Sequence, residues 1–452
     1  MSITLRLTAF ALDTEAGALS PEMRRTGRLC LADWIAVARA GASEPVARVA
    51  RDMVTAEGGR PEAWGLHGDR LPIRLAALVN ATAGHALDYD DTHFLHIGHV
   101  TTVVGPAALA VGEQMEASTG EVMTAFLIGA EAACRVGDWL GRTHYDAGFH
   151  QTATAGAFGA TVAAARLMDL DHVATVSALG LAATRSGGLK AQFGTMGKPL
   201  NAGFAAMNGV ECAMLAALGA RSVIDGLEGD GGFAATHAGA APEAADGGAA
   251  FDGLGERWVF PEVSHKLHAC CHGIHAALEA LATLEPASIG PDAVEAVEIA
   301  VNPCWMSVCA QPEPRTGLEA KFSYAQTVAM ALSGIGTAAL DSYSDTLVAR
   351  PDLMALRRKV SVRPDPATAD SAARIVLRLS DGRSLEAAHD LTAPIPAEAR
   401  AARIRAKARA LSGEANEAAI WAALSSAAAD EPVSALAGLF AGQGTDAGRL
   451  TA

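Results

Sequence analysis

The run from Gln151 to Ala165, QTATAGAFGATVAAA, carries no charge and almost no large side chain. A segment like this has to be buried, and its neighbours have to come close. Alanine is the strongest helix former and no β-branched alternation is present, so the run predicts a tightly packed helix. It is shorter than the roughly 20 apolar residues of a membrane span and is rich in Thr and Gly. Helical spacing of apolar residues also runs from Leu71 to Leu87, Pro106 to Met115, Glu121 to Leu140, Ala153 to Leu167 and Ala202 to Leu218. Ser20-Pro21-Glu22 is a helix start, a capping hydroxyl followed by proline at the first helical position. Half of the residues are hydrophobic but only 5% are aromatic, so the helix contacts must be made by small side chains.

A chain of 452 residues exceeds the size at which one core keeps growing, so two domains are expected. The first part reads as mostly α. The stretch from Gly229 to Gly255 reads as loop with one short helix. After about residue 265 the pattern changes. Val294 to Val301 alternates as a strand does, and Ala373 to Ala388 carries Asp381-Gly382 between alternating apolar residues, a hairpin signal. The expected fold class is mainly α with a smaller α+β domain. Residues 1–265 and 393–452 form a discontinuous helical domain and 266–392 the α+β unit.

Acidic residues outnumber basic ones by 50 to 35, a formal net charge of −15. No basic stripe interleaved with aromatics occurs, which argues against nucleic acid as a partner. The seven cysteines (Cys30, Cys134, Cys212, Cys270, Cys271, Cys304, Cys309) are odd in number and mostly scattered, which fits a reducing compartment better than a disulfide scaffold. No secretory signal is read at the N-terminus, and a soluble cytoplasmic protein is expected.

Four segments carry chemistry. From Asp88 to His99, three carboxylates (Asp88, Asp90, Asp91) and three imidazoles (His93, His96, His99) fall within twelve residues. That density points to acid–base chemistry or to a metal held by Asp88, His93, His96 and His99, although the spacing is not a standard one. His150 precedes a helix of small residues, where the positive helix end lowers an imidazole's pKa. Lys198 lies at the end of a Gly-rich stretch beginning at Gly187 and precedes a proline. That suits carboxylate capture by a cation and backbone N–H groups. Finally, His265-Lys-Leu-His-Ala-Cys-Cys-His-Gly-Ile-His275 places thiols near imidazoles and Lys266, which favours a lowered thiol pKa. Adjacent cysteines without a CxxC pair argue against zinc there.

Taken in order, these segments resemble the MmgE/PrpD family. The resemblance rests on His85-Ala-Leu-Asp-Tyr-Asp-Asp-Thr with His99, on Gly148-Phe-His150 with Thr-Ala-Thr after Gln151, and on Phe193-Gly-Thr-Met-Gly-Lys-Pro-Leu. Leu227-Glu-Gly with Gly232-Phe, Lys266 with Cys270-Cys271 and His275, and Glu319-Ala-Lys-Phe-Ser323 extend it. It implies a large helical domain, an α+β lid, a homodimer, and a cofactor-independent reaction on a small di- or tricarboxylate, with no metal. By position it implies Asp88, His99, His150, Lys198 and Cys271 as catalytic residues, with Lys198, Lys266, His275 and Gln326 binding substrate. Gln326 stands where the family often has tyrosine, and Asn201 and Cys271 where histidine is common. These departures argue against decarboxylation of cis-aconitate. The leading expectation is a hydro-lyase, a dehydratase of the 2-methylcitrate type. The alternative is an epimerase of the iminodisuccinate type, in which Cys271 is the second base. A non-catalytic carboxylate-binding protein is the third reading.

Overall fold

The computed structural model describes residues 2–66, 68–237, 249–426 and 429–441. The chain divides into two compact units, residues 1–265 with 412–452, and residues 266–411. The first is helical and the second mixes helices with a sheet.

In the first unit, the helices Ile73–His85, Thr101–Gln114, Thr119–Asp146, Gln151–Leu167 and Gly197–Ala217 pack on one another. The core shared by the four of these other than Thr119–Asp146 is mostly Ala, Val and Leu, including Ala76, Ala77, Val103, Ala157, Ala160 and Ala206. Small residues allow backbones to meet. A Cβ on Gly129 would lie 2.5 Å from the Gly159 carbonyl oxygen, and one on Gly159 equally close to that of Gly129. Any larger residue at this crossing would push Thr119–Asp146 away from Gln151–Leu167.

Ser20 caps the helix Pro21–Gly41 as its sequence predicts, its Oγ accepting from Met23 N at 3.1 Å. The helix expected from Pro106 begins earlier, at Thr101, and takes Pro106 into its body. Asp91 Oδ1 accepts from Thr101 N at 3.2 Å, so a cap remote from the helix's own first turn sets its start. Glu121 to Leu140 lies within a longer helix, Thr119–Asp146, that continues past a kink at Gly141. The C-terminal helix Glu414–Ser426 returns to this unit, where Arg39 Nη2 donates to Asn416 Oδ1 at 2.9 Å. Of the stretch from Gly229 to Gly255, residues 238–248 lie outside the described residues; the helix Phe233–His237 precedes them.

The second unit carries a four-stranded sheet in the order Val360–Pro364, Val294–Val301, Ala372–Leu379, Ser384–Asp390. The first pair is parallel and the others antiparallel. Gly382, at φ 86°, turns the hairpin that Asp381-Gly382 predicts. This unit runs past residue 392, the boundary expected from composition. The helix Ala397–Ser412 is tied to it by Arg403 Nη1, which donates to Glu279 Oε2 at 2.9 Å.

Candidate active site

The segment after helix Ile73–His85 makes two turns that sort its polar side chains. Asp88 adopts the left-handed conformation at φ 50°, which Asp tolerates better than most residues. The chain then makes a short excursion closed by a bridge between His93 and Gly98, with His93 N donating to Gly98 O at 2.9 Å. A Cβ on Gly98 would sit 2.7 Å from Thr152 N, so only glycine lets the returning chain lie this close to the next helix. His99 N donates to Thr152 Oγ1 at 3.0 Å, which fixes where His99 re-enters.

The result is a line of alternating groups. Lys198 Nζ is 2.7 Å from Asp88 Oδ1, and Asp88 Oδ1 is 3.3 Å from His99 Nε2. His99 Nδ1 is 3.0 Å from Asp90 Oδ2, and His85 Nδ1 is 3.0 Å from Asp90 Oδ1. The His85 and His99 rings meet edge to face at 4.5 Å between centroids. The His150 ring stacks near His85, 5.8 Å away between centroids.

Both nitrogens of His99 lie near carboxylates, Nδ1 at 3.0 Å from Asp90 and Nε2 at 3.3 Å from Asp88, a setting that favours the imidazolium electrostatically. His85 donates to Asp90 from Nδ1, and its Nε2 is buried with no hydrogen-bond partner among the described residues. Burial, the larger effect, outweighs the pull of Asp90 and lowers the His85 pKa to about 4, so this ring is neutral. Burial alone would raise Asp90, yet His99 and His85 together hold its carboxyl well below the usual range. A charged His99 together with Lys198 would balance the carboxylates of Asp88 and Asp90.

Asn201, where the family commonly has histidine, fixes His150. Its Nδ2 donates to Leu189 O at 3.3 Å and to His150 Nδ1 at 3.2 Å. Because a carbonyl only accepts, the amide orientation is set and His150 keeps its proton on Nε2. The His150 pKa is well below its ordinary value, the direction the sequence predicts. The main cause differs: burial comes first, followed by electrostatic effects of neighbouring groups, Lys198 among them. The Gly-rich stretch is held against His150 by the bridge between Phe149 and Leu189, with His150 N donating to Gly188 O at 3.0 Å. Phe193 meets the His150 ring edge to face at 4.9 Å, and Lys198 Nζ lies 5.2 Å from its centroid.

His93 and His96 do not join this group, so the alternative of a metal held by Asp88, His93, His96 and His99 is not assembled. His93 Nε2 bonds Val259 O at 2.8 Å and His96 Nδ1 bonds Ala133 O at 3.0 Å. Both are neutral, pushed to about 4 and about 3 chiefly by burial. The donor atoms that do converge, within 4.8 Å of one another, are those of His85, Asp88, Asp90 and His99, and separately of Cys30, Asp91 and His265. In the first set the carboxylates are already matched by Lys198 and His99.

In the second unit, Cys271 is the N-cap of helix His272–Ala282 and its N donates to Lys321 O at 2.8 Å. The lowered thiol expected of this cluster is not found at Cys270. Burial, reinforced by Cys271, pushes it up to about 12 against a smaller opposing effect of Lys266. Lys266, His275 and Gln326 are all buried. His275 Nε2 is 3.3 Å from Cys270 O, and Gln326 Oε1 accepts from Arg357 Nη1 at 2.9 Å. Asp88, His99, His150 and Lys198, singled out from the sequence, thus share one neighbourhood. His85, Asp90 and Asn201, to which the sequence reading gave no catalytic or binding role, join them.

The chain matches the MmgE/PrpD N-terminal domain over residues 5–244 and the MmgE/PrpD C-terminal domain over residues 268–423, and it belongs to the MmgE/PrpD family. Among its relatives is the cis-aconitate decarboxylase of Homo sapiens, 27% identical over 314 residues, or 67% of this chain and 64% of that protein. The cis-aconitate decarboxylase of Aspergillus terreus is 29% identical over 378 residues, 77% of this chain and 76% of that protein. The chain therefore spans slightly less than two thirds of the human protein. Among the described residues no helix is long and apolar enough to cross a membrane.

Proposed function

We propose that the chain is a cofactor-independent lyase, a dehydratase that removes water from a small β-hydroxy di- or tricarboxylate. The observation that carries this reading is Asp90 lying between two imidazoles, one of which, His85, is neutral while the other, His99, faces two carboxylates. His85 Nε2 is a neutral lone pair and takes the proton from the carbon α to a carboxylate. His99 is an imidazolium and gives its proton to the leaving hydroxyl, so that water departs and the C=C bond forms. Lys198 and the Nε2–H of His150 stabilise the charge that builds on the carboxylate oxygens. Asp88 holds Lys198 and His99 at the half-exposed mouth of the line. Lys266, His275 and Gln326 are proposed substrate contacts on the strength of the family resemblance.

The names of the relatives favour a second reading, decarboxylation. Loss of CO2 leaves a carbanion that needs an acid but no base. A buried neutral acceptor beside the acid is what dehydration requires and decarboxylation does not. The test is incubation of the purified protein with a panel of di- and tricarboxylates in D2O, followed by NMR. Dehydration gives a new alkene with every carboxylate retained. CO2 release would establish decarboxylation. Deuterium at an α-carbon without alkene would establish the epimerase and return Cys271 to the chemistry.

A further inference from the structure

Asp91 points away from the line just described. It is buried, and its oxygens accept from Thr101 N and Thr101 Oγ1, with no cationic side chain paired to it among the described residues. Two donors from distant parts of the sequence lie beside it. Cys30 comes from the middle of helix Pro21–Gly41 and is buried. His265 follows Ser264, whose backbone exchanges two hydrogen bonds of 2.8 Å with Thr92. That bridge makes the residue after Ser264 a neighbour of the residue before Thr92. One donor atom each from Cys30, Asp91 and His265 lies within 4.8 Å of the other two.

We propose that Cys30, Asp91 and His265 form a zinc site, independent of the proposed reaction. Cys30 Sγ and His265 Nε2 are 3.6 Å apart. Zn–S and Zn–N bonds of about 2.3 and about 2.0 Å at a tetrahedral angle put sulfur and nitrogen about 3.5 Å apart. The donor set is one that zinc takes, thiolate, carboxylate and imidazole, with a water to complete the tetrahedron. The charges also close. A thiolate and a carboxylate neutralise the divalent ion, and a neutral imidazole adds nothing, so the buried unit carries no net charge. The ion would join three separate pieces of chain immediately beside Asp90, so its expected effect is to stiffen the segment from His85 to His99.

The experiment uses the full chain, produced in medium supplemented with zinc and, separately, with cobalt in place of zinc. The expected results are one zinc per chain by elemental analysis after dialysis, and in the cobalt protein a thiolate-to-metal charge-transfer absorption with tetrahedral ligand-field bands. Cys30→Ser and His265→Gln should each lose the metal and lower the thermal midpoint, with the helical circular dichroism retained. If Cys30→Ser does not fold, the cobalt spectrum of the unaltered chain decides. Trace metal only, cobalt bound without the charge-transfer absorption, or full metal content in the His265→Gln variant would each overturn the site. The first of these would leave Cys30 and His265 as a thiol–imidazole hydrogen bond.

Discussion

Two pairs of histidines within one short segment have opposite fates. His85 and His99 are bound to carboxylates, whereas His93 and His96 are bound to the backbone carbonyls of Val259 and Ala133. All four are buried. A carbonyl can fix a ring's tautomer, but it supplies no charge to offset the loss of hydration, and these two rings stay neutral. A shared carboxylate can hold one neighbour charged and the other neutral. The chemistry of a histidine-rich segment is therefore set by what each ring meets, and residue type alone does not reveal it. His93 and His96 clamp the excursion; His85 and His99 are available to move protons.

The sharpest way to break this contrast is to remove the charge that both working rings share. Asp90→Asn should keep the shape and lower kcat by about 10²–10⁴-fold, the range of a lost acid–base partner. Steady-state kinetics on the substrate found in the D2O screen would show it. A variant within a few-fold of normal would detach Asp90 from the reaction. Next in size is Lys198→Ala, expected to lower kcat/KM by roughly 10²-fold with unchanged circular dichroism, since it removes the cation at the mouth of the line. Normal kinetics in that variant would take Lys198 out of the site.

The other pair should answer through stability. His93→Gln is expected to cost about 1–3 kcal/mol, the penalty for disturbing a buried hydrogen bond, with kcat changed only a few-fold. The effect on pH dependence has a definite sign. His85, His93 and His96 have folded pKa values of about 4, about 4 and about 3, against 6.5 when unperturbed. Between those limits the unfolded chain binds more protons than the folded one. Stability therefore falls as pH drops from about 6.5 towards 4, and the loss is complete below the folded values. His93→Gln should make that slope shallower in a series of thermal midpoints. A slope unchanged from the parent chain would show that His93 does not contribute to it.

The smallest effect is expected at Cys271. In a dehydratase working through His85 and His99, Cys271→Ser should cost little turnover. A severe loss with surviving α-proton exchange would instead mark a two-base epimerase, because a hydroxyl of far higher pKa cannot replace the thiol.

Local signals were legible where local physics decides the outcome. The Ser20 cap, the strand Val294–Val301 and the Asp381-Gly382 hairpin each follow from neighbours in sequence. The strand Val360–Pro364 gave no such signal. It is short, ends in proline and gains its place only by lying parallel to Val294–Val301. In the site, Asp88, His99, His150 and Lys198 stood out by density, helix position and Gly-rich setting. His85 and Asp90 were visible as letters but not as a pair with His99. Their meeting depends on the left-handed Asp88, the excursion closed at Gly98, and the hold of Thr152 on His99. For the same reason His93 and His96 could not be told apart from their neighbours: Val259 and Ala133 are far away in sequence.

The central claim is that Asp90 keeps one imidazolium and one neutral imidazole side by side. Histidine-selective ¹⁵N labelling and side-chain NMR near neutral pH measure this directly, with signals assigned through His85→Gln and His99→Gln. The predicted spectrum has His99 protonated on both nitrogens and His85 protonated on Nδ1 alone. Two neutral rings, or a charged His85 beside a neutral His99, would contradict the account.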